Sequence, residues 1–130
     1  MIKGRALDHI GICCTDVVAN AQWYMDVLGF TLKGRFQAPG RPYPTIFVES
    51  GHTVYEIYQR DDLDPAVQGK VDHIAFVSND IEADYAYCVQ QGYQICTNGI
   101  EDIPGRWENG CRYFKILSPC GEQIEFSQNL

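Results

Sequence analysis

One sequence pattern occurs twice, once in each half of the chain. The stretch LDHIGICCTDVVA near the start returns as VDHIAFVSNDIEA in the second half, so that His9 corresponds to His73 and Asp16 to Asp80, both 64 residues further along. Such a duplication constrains the architecture strongly, because each copy is expected to fold in the same way. The remaining sequence is therefore interpreted as two copies of one module.

The predicted organisation is a single domain of 130 residues built from two modules. Module one spans residues 1–60, a linker spans 61–69, and module two spans 70–130. The linker is polar and contains Pro65 and Gly69, which interrupt helical and strand periodicity alike.

Each module shows the same order of local signals. A strand with apolar alternation precedes an aspartate in the N-cap position, Asp16 or Asp80, and the helix that follows ends near Gly29 or Gly92. After each helix the apolar period becomes two, which is typical of strands. These strands are expected near 30–37, 44–50 and 53–59 in module one, and near 93–98, 111–118 and 122–128 in module two.

The pattern predicts an α+β fold made of two paired β-α-β-β-β modules. We expect the modules to join into a curved mixed sheet with both helices on one face. Because twisted sheets do not stay flat, the opposite face should curl into a cleft suited to a metal ion. A second copy of the chain could cover the open edges and the cleft, so a homodimer is expected.

Four side chains are predicted to share the concave face. His9 and His73 stand on the strand face opposite the neighbouring apolar residues, and Glu56 and Glu125 each stand between two apolar residues of a final strand. Two imidazoles and two carboxylates suit one divalent ion such as zinc, nickel, cobalt, iron or manganese. An octahedral ion would keep two positions for water or substrate, whereas a tetrahedral zinc would be closed.

The composition argues against several other classes of protein. The net charge of −7 disfavours binding to nucleic acid. No apolar run approaches the roughly 20 residues of a membrane helix, and the first residues do not resemble a secretory signal. We therefore expect a cytoplasmic protein without a membrane partner. Its six cysteines include no C-x-x-C pair and are expected to be reduced thiols.

The chain resembles the vicinal-oxygen-chelate superfamily, and within it the glyoxalase I-like proteins of the lactoylglutathione lyase, bleomycin resistance protein and dioxygenase family. The motifs that carry the resemblance are LDHIGI, WYMDVLGF, VYEIYQ, VDHIAF and LSPCGEQIEF, which extend over nearly the whole chain. The resemblance implies the paired β-α-β-β-β fold. It also implies one divalent metal ion per site, bound by His9, Glu56, His73 and Glu125.

By the same resemblance, the small-molecule substrate would be a hemithioacetal of methylglyoxal with a thiol, usually glutathione. A glyoxalase I-like enzyme converts it to an S-lactoyl thioester and thereby detoxifies methylglyoxal. The metal would polarise the substrate carbonyl and stabilise the enediolate formed on proton loss. Glu125 is the first candidate for the base that moves the proton, and Glu56 is its candidate partner on the opposite side.

Departures from the glyoxalase I pattern leave the thiol open. The stretch FQAPGRPYPTIFV is short and proline-rich, where glyoxalase I proteins usually carry a longer polar hairpin that helps to hold glutathione. Two alternatives remain. Methylmalonyl-CoA epimerase-like enzymes typically have glutamine at the position of Glu56, and metal-free drug-sequestering modules lack the ligand set.

A tryptophan in the second module has two interpretations. Trp107 stands in the loop EDIPGRWENGCRYF, between Arg106 and Glu108. It could cover the mouth of the cleft as a lid, or it could anchor a long loop on the core.

Overall fold

The computed structural model describes residues 9–37, 39–67, 69, 71–104 and 107–130. The chain forms two compact units, which divide between Pro65 and Ala66. This division lies within the stretch that the sequence marks as a linker. Each unit contains one helix and one four-stranded sheet. No helix among the described residues is long and apolar enough to span a membrane.

Unit one has the element order β-α-β-β-β. Its elements are β1 (Ile10–Cys14), α1 (Val17–Leu28), β2 (Thr31–Phe36), β3 (Thr45–Ser50) and β4 (Thr53–Gln59). The sheet order is β1-β4-β3-β2, with β1 parallel to β4 and the other pairs antiparallel. The sheet is therefore mixed, and its first and last strands in sequence lie side by side.

The ends of α1 follow from the two residues that the sequence marks as caps. The side chain of Asp16 accepts a hydrogen bond from the backbone N–H of Ala19 at 2.9 Å, which satisfies one of the unpaired amides of the first turn. Gly29 has φ 69° and ends the helix in the left-handed region.

The core of unit one lies between α1 and the sheet. Tyr24 on α1 meets Tyr55 on β4 edge-on, with ring centroids 5.1 Å apart, and Phe30 lies 5.1 Å from the same Tyr55 ring. Ile57, two residues further along β4, is fully buried. Because side chains alternate along a strand, burial of Tyr55 and Ile57 directs Glu56 to the opposite face.

Unit two repeats this order. Its elements are β5 (His73–Val77), α2 (Ile81–Gln90), β6 (Glu101–Ile103), β7 (Cys111–Leu117) and β8 (Gln123–Asn129). The sheet order β5-β8-β7-β6 matches that of unit one strand for strand. Asp80 caps α2 by accepting from the N–H of Ala83 at 3.1 Å, and Gly92 follows the helix with φ 73°. The α+β class and the two-module β-α-β-β-β order are confirmed.

The predicted strand near 93–98 is wrong, because only Ile95 forms a bridge to β7. The backbone N–H of Lys115 on β7 is taken by the Thr97 hydroxyl at 3.1 Å instead of by a carbonyl, which interrupts the ladder. The chain then turns at Gly99, with φ 71°, and pairs with β7 again only at β6. The prediction rested on alternating apolar residues, and this alternation does not show when a side-chain hydroxyl will replace a backbone carbonyl as the acceptor.

Candidate metal centre

In unit one, the structure brings His9 and Glu56 together. His9 directly precedes β1, and Glu56 on β4 is paired with Gly11, two residues after the histidine. Nε2 of His9 lies 3.0 Å from Oε2 of Glu56. Phe47 on β3 is the ladder partner of Glu56 on its other side, and its ring meets the imidazole edge-on at 5.7 Å between centroids. The pair therefore has an apolar wall on one side.

In unit two, the same arrangement joins His73 and Glu125. Glu125 on β8 is paired with Ala75, again two residues after the histidine. Nε2 of His73 lies 3.3 Å from Oε2 of Glu125. The side chain of Glu125 is only 6 % exposed, against 32 % for Glu56. The sequence repeat is thus reproduced in space as two equivalent histidine–glutamate pairs.

Within each pair, the distance between nitrogen and oxygen fits two adjacent ligands of a metal ion. Nitrogen and oxygen ligands at about 2.0–2.2 Å from a divalent ion lie about 3.0–3.5 Å from each other when adjacent. The two Nε2–Oε2 distances of 3.0 and 3.3 Å agree with that spacing. The imidazole and carboxylate donor set suits zinc and its first-row neighbours.

The neighbours of the His73 ring give a second test of the fit. Nδ1 of His73 lies 2.7 Å from Oδ2 of Asp72 and 3.2 Å from Nζ of Lys115, and the shorter contact, to the carboxylate, favours the tautomer with its proton on Nδ1. The Nε2 lone pair then faces the carboxylate of Glu125. A proton or a metal ion between these two atoms would relieve their repulsion, and this half of the site offers a metal ion two adjacent donor atoms.

Each unit contributes two of the four predicted ligands. Among the residues that the structure describes, no three or more His, Cys, Asp and Glu side chains are grouped so as to hold one ion, so the structure brings the predicted ligands together as pairs and not as a set of four.

Asp72 is a functional candidate that the sequence interpretation missed. A carboxylate that accepts from the second ring nitrogen of a ligand histidine fixes its tautomer and orientation. The hydrogen bond from His73, followed by that from Lys115, holds the pKa of Asp72 below its ordinary value. The signal was present in the sequence, because Asp8 precedes His9 as Asp72 precedes His73; Asp8 itself lies outside the described residues.

Lys115 is a second side chain that the sequence interpretation missed. It is the partner of Glu125 across the β7–β8 ladder, and its Nζ lies 3.4 Å from Oδ2 of Asp72 and 4.0 Å from Oε2 of Glu125. The corresponding ladder position in unit one is Phe47. Because the equivalent residue of unit one is apolar, Lys115 is not found by searching for polar residues that occur in both halves of the sequence.

Trp107 lies beside the second pair. An open groove of about 790 Å³ in unit two is lined by His73, Glu125, Ser127 and Trp107, among others. Trp107 is 70 % exposed and has φ 59°, so the interpretation that it anchors its loop on the core is wrong. Its role as a lid stays a prediction, and Arg106 beside it lies outside the described residues.

Comparison with known proteins finds one protein family and many similar folds. The family described as the Glyoxalase/Bleomycin resistance protein/Dioxygenase superfamily matches residues 6–126. The "Uncharacterized protein YwbC" of Bacillus subtilis is 35 % identical over 127 residues, which cover 95 % of this chain and 98 % of that protein.

Solved structures share the fold at low sequence identity. A glyoxalase family protein from Enterococcus faecalis superposes with a TM-score of 0.77 at 20 % identity, covering 95 % of this chain and 97 % of the other. A lactoylglutathione lyase from Agrobacterium tumefaciens gives a TM-score of 0.66 at 19 % identity, covering 97 % and 95 %. At these identities the likeness establishes the fold alone.

Proposed function

Because the chain belongs to the glyoxalase, bleomycin resistance protein and dioxygenase superfamily, we propose that it is a metal-dependent lyase of the lactoylglutathione lyase type. It would convert a hemithioacetal of methylglyoxal to an S-lactoyl thioester. The observation that carries the proposal is the repeated pair, His9 with Glu56 at 3.0 Å and His73 with Glu125 at 3.3 Å. These four residues would hold one ion of nickel, zinc, cobalt, manganese or iron.

The bound ion would supply a Lewis acid for the two vicinal oxygens of the substrate. Glu125 takes the proton from the carbon that bears the sulfur and returns it to the adjacent carbon. The hydroxyl proton passes from the first oxygen to the second, so that the C–S carbon becomes the thioester carbonyl. No atom is lost or gained.

The burial of the two carboxylates supports Glu125 as the base. Its side chain is 6 % exposed, whereas that of Glu56 is 32 % exposed. A base shielded from water retains the abstracted proton until it is returned to the substrate. Glu56, the more exposed of the two carboxylates, would serve as a ligand and as the candidate partner in proton transfer.

Asp72 supports the same centre without being one of the proposed ligands. Asp72 accepts from Nδ1 of His73 and thereby directs Nε2 toward Glu125. The negative charge of Asp72, 3.4 Å from Nζ of Lys115, also limits the cost of placing this lysine, which is only 15 % exposed, beside the second pair.

An activity assay on metal-depleted and reloaded protein tests the proposal. The protein is treated with a chelator, reloaded with each candidate ion, and supplied with methylglyoxal and either glutathione or another thiol. We expect thioester formation with at least one ion and none without metal. Bound metal without turnover of any hemithioacetal would contradict the assignment.

We also propose that the protein is a homodimer. The mixed four-stranded sheets leave edge strands, which soluble proteins usually cover or protect. Light scattering at micromolar protein concentration should give twice the mass of the 14.7 kDa chain, and a monomer under these conditions would count against the dimer.

A further inference from the structure

The two histidine–glutamate pairs have the same geometry but different neighbours. Across the ladder from Glu56 stands Phe47, and across the ladder from Glu125 stands Lys115. The sheets therefore present an apolar ring beside one pair and an ammonium group beside the other. Both pairs offer a metal ion the same two donor atoms, so metal binding does not explain why Phe47 stands beside one pair and Lys115 beside the other. A substrate that is itself asymmetric, with a charged group at one end, would explain this difference.

The surroundings of Lys115 leave hydrogen-bonding capacity. Its ammonium carries three N–H donors, and the polar atoms in reach are Nδ1 of His73 at 3.2 Å, Oδ2 of Asp72 at 3.4 Å and Oε2 of Glu125 at 4.0 Å. By contrast, Lys33 makes a 2.8 Å ion pair with Glu49 on the surface of unit one. Lys115 is thus held among acidic groups without a short contact to either carboxylate.

The charges around this lysine change when the proposed ion binds. Asp72 already accepts the short 2.7 Å hydrogen bond from His73, and Glu125 would share its charge with the metal. A side chain only 15 % exposed keeps its ammonium away from bulk water. An anionic ligand group beside Glu125 would then meet a positive charge that is weakly screened.

We propose that Lys115 binds a carboxylate of the substrate, and that the substrate accordingly carries a carboxylate a few bonds from its two chelating oxygens. The inference rests on the proposed function, because the oxygens are placed by the metal that His73 and Glu125 help to hold. The thiol or the carbonyl compound that forms the substrate should therefore carry an acidic group near the reacting carbons. Lys115 is in this account a specificity-determining residue.

Two chelating probes separate this role from metal binding. Acetohydroxamate and succinic monohydroxamate offer the same pair of vicinal oxygens, but only the second carries an additional carboxylate. Their affinities for the zinc-loaded protein are measured by calorimetry. We expect the succinic probe to bind about tenfold more tightly, as one charge-assisted hydrogen bond allows. Equal affinities in the wild-type protein would overturn the inference.

Substitutions then assign the preference to the side chain. Lys115→Met should abolish the preference, so that the succinic probe loses more affinity than acetohydroxamate, while Lys115→Arg should retain most of the preference. Lys33→Met, which removes a surface ammonium of unit one, is the matched control and should keep the full preference. Equal weakening of both probes in Lys115→Met would instead make the lysine a positioning residue for His73 and overturn the inference.

The proposed function can fail separately from this inference. If the probes bind through the metal but with equal affinity, the metal site stands and the role of Lys115 falls. If the protein takes up no zinc and binds neither hydroxamate, the proposed function falls and the inference falls with it. If Lys115→Met is unstable, the affinities of the two hydroxamates for the wild-type protein still test whether a substrate carboxylate is bound.

Discussion

The carboxylate of Asp72 lies 2.7 Å from Nδ1 of His73, and the other nitrogen of the same ring faces Glu125 at 3.3 Å. The imidazole therefore lies between two carboxylates that interact with different nitrogens of the ring. One carboxylate accepts its proton, and the other can share a cation with its lone pair. This relationship makes the centre sensitive to a residue that does not itself touch the proposed ion.

Replacing Asp72 by asparagine should weaken metal binding by about 10–100-fold, the usual effect of removing such a supporting carboxylate. The amide can still be a hydrogen-bond partner, but it supplies no negative charge to favour the required tautomer. Affinity is measured by competition with a chelating dye. Asp102→Asn removes an exposed carboxylate that pairs with Arg112 at 2.9 Å and serves as the control. Equal affinities in the two variants would argue against the role of Asp72.

Replacing Glu125 by glutamine should lower turnover by about 10²–10⁴ in protein that retains its metal, because the amide cannot accept the substrate proton. Metal content and initial rates are measured on the same preparation. Glu56→Gln is the paired variant and should have the smaller effect on turnover at equal metal occupancy. The reverse order would make Glu56 the base.

The repeat made the fold and the four candidate ligands accessible from the sequence. Its offsets aligned the histidines, and strand alternation directed the glutamates away from buried neighbours such as Tyr55 and Ile57. Both inferences use only the spacing of residues along the chain, because this spacing determines on which face of a sheet a side chain lies. The capping roles of Asp16 and Asp80 were accessible for the same reason.

Features that depend on ladder register or on side-chain competition could not be predicted in this way. Lys115 is opposite Glu125 only through the β7–β8 pairing, and nothing in its local sequence marks that partner. The strand expected near 93–98 does not form, because the backbone N–H of Lys115 donates to the Thr97 hydroxyl and not to a carbonyl of that segment. Trp107 was interpreted from its size, but its exposure depends on the path of the loop.

The hydrogen bonds to Glu101 predict a pH-dependent contribution to the stability of unit two. Tyr113 donates to its carboxylate through the phenolic hydroxyl, and the backbone N–H of Asn98 donates at 3.0 Å. These bonds lower the pKa of Glu101 from its ordinary value of 4.5. A depressed carboxyl pKa stabilises the fold above that ordinary value, and the contribution is lost as the pH falls through the folded-state pKa.

Glu101→Gln should accordingly reduce the melting temperature at about pH 7, and the difference from wild type should shrink at about pH 3. Thermal unfolding followed by circular dichroism measures both values. Glu108→Gln, in the exposed loop that precedes β7, is the matched control and should show little change at either pH. A difference that persists undiminished in acid would contradict the assigned cause.

The central claim is that the two repeated pairs hold one divalent ion. The most direct measurement is the metal content of the purified protein by mass spectrometry, for the wild type and for His9→Ala, His73→Ala and His52→Ala. His52 stands in the exposed β3–β4 turn and is the matched control. We expect one ion per chain in the wild type and in His52→Ala, and loss of the ion in His9→Ala and in His73→Ala. A wild-type protein that binds no divalent ion under any loading condition, or an ion retained in both His9→Ala and His73→Ala, would contradict the central claim.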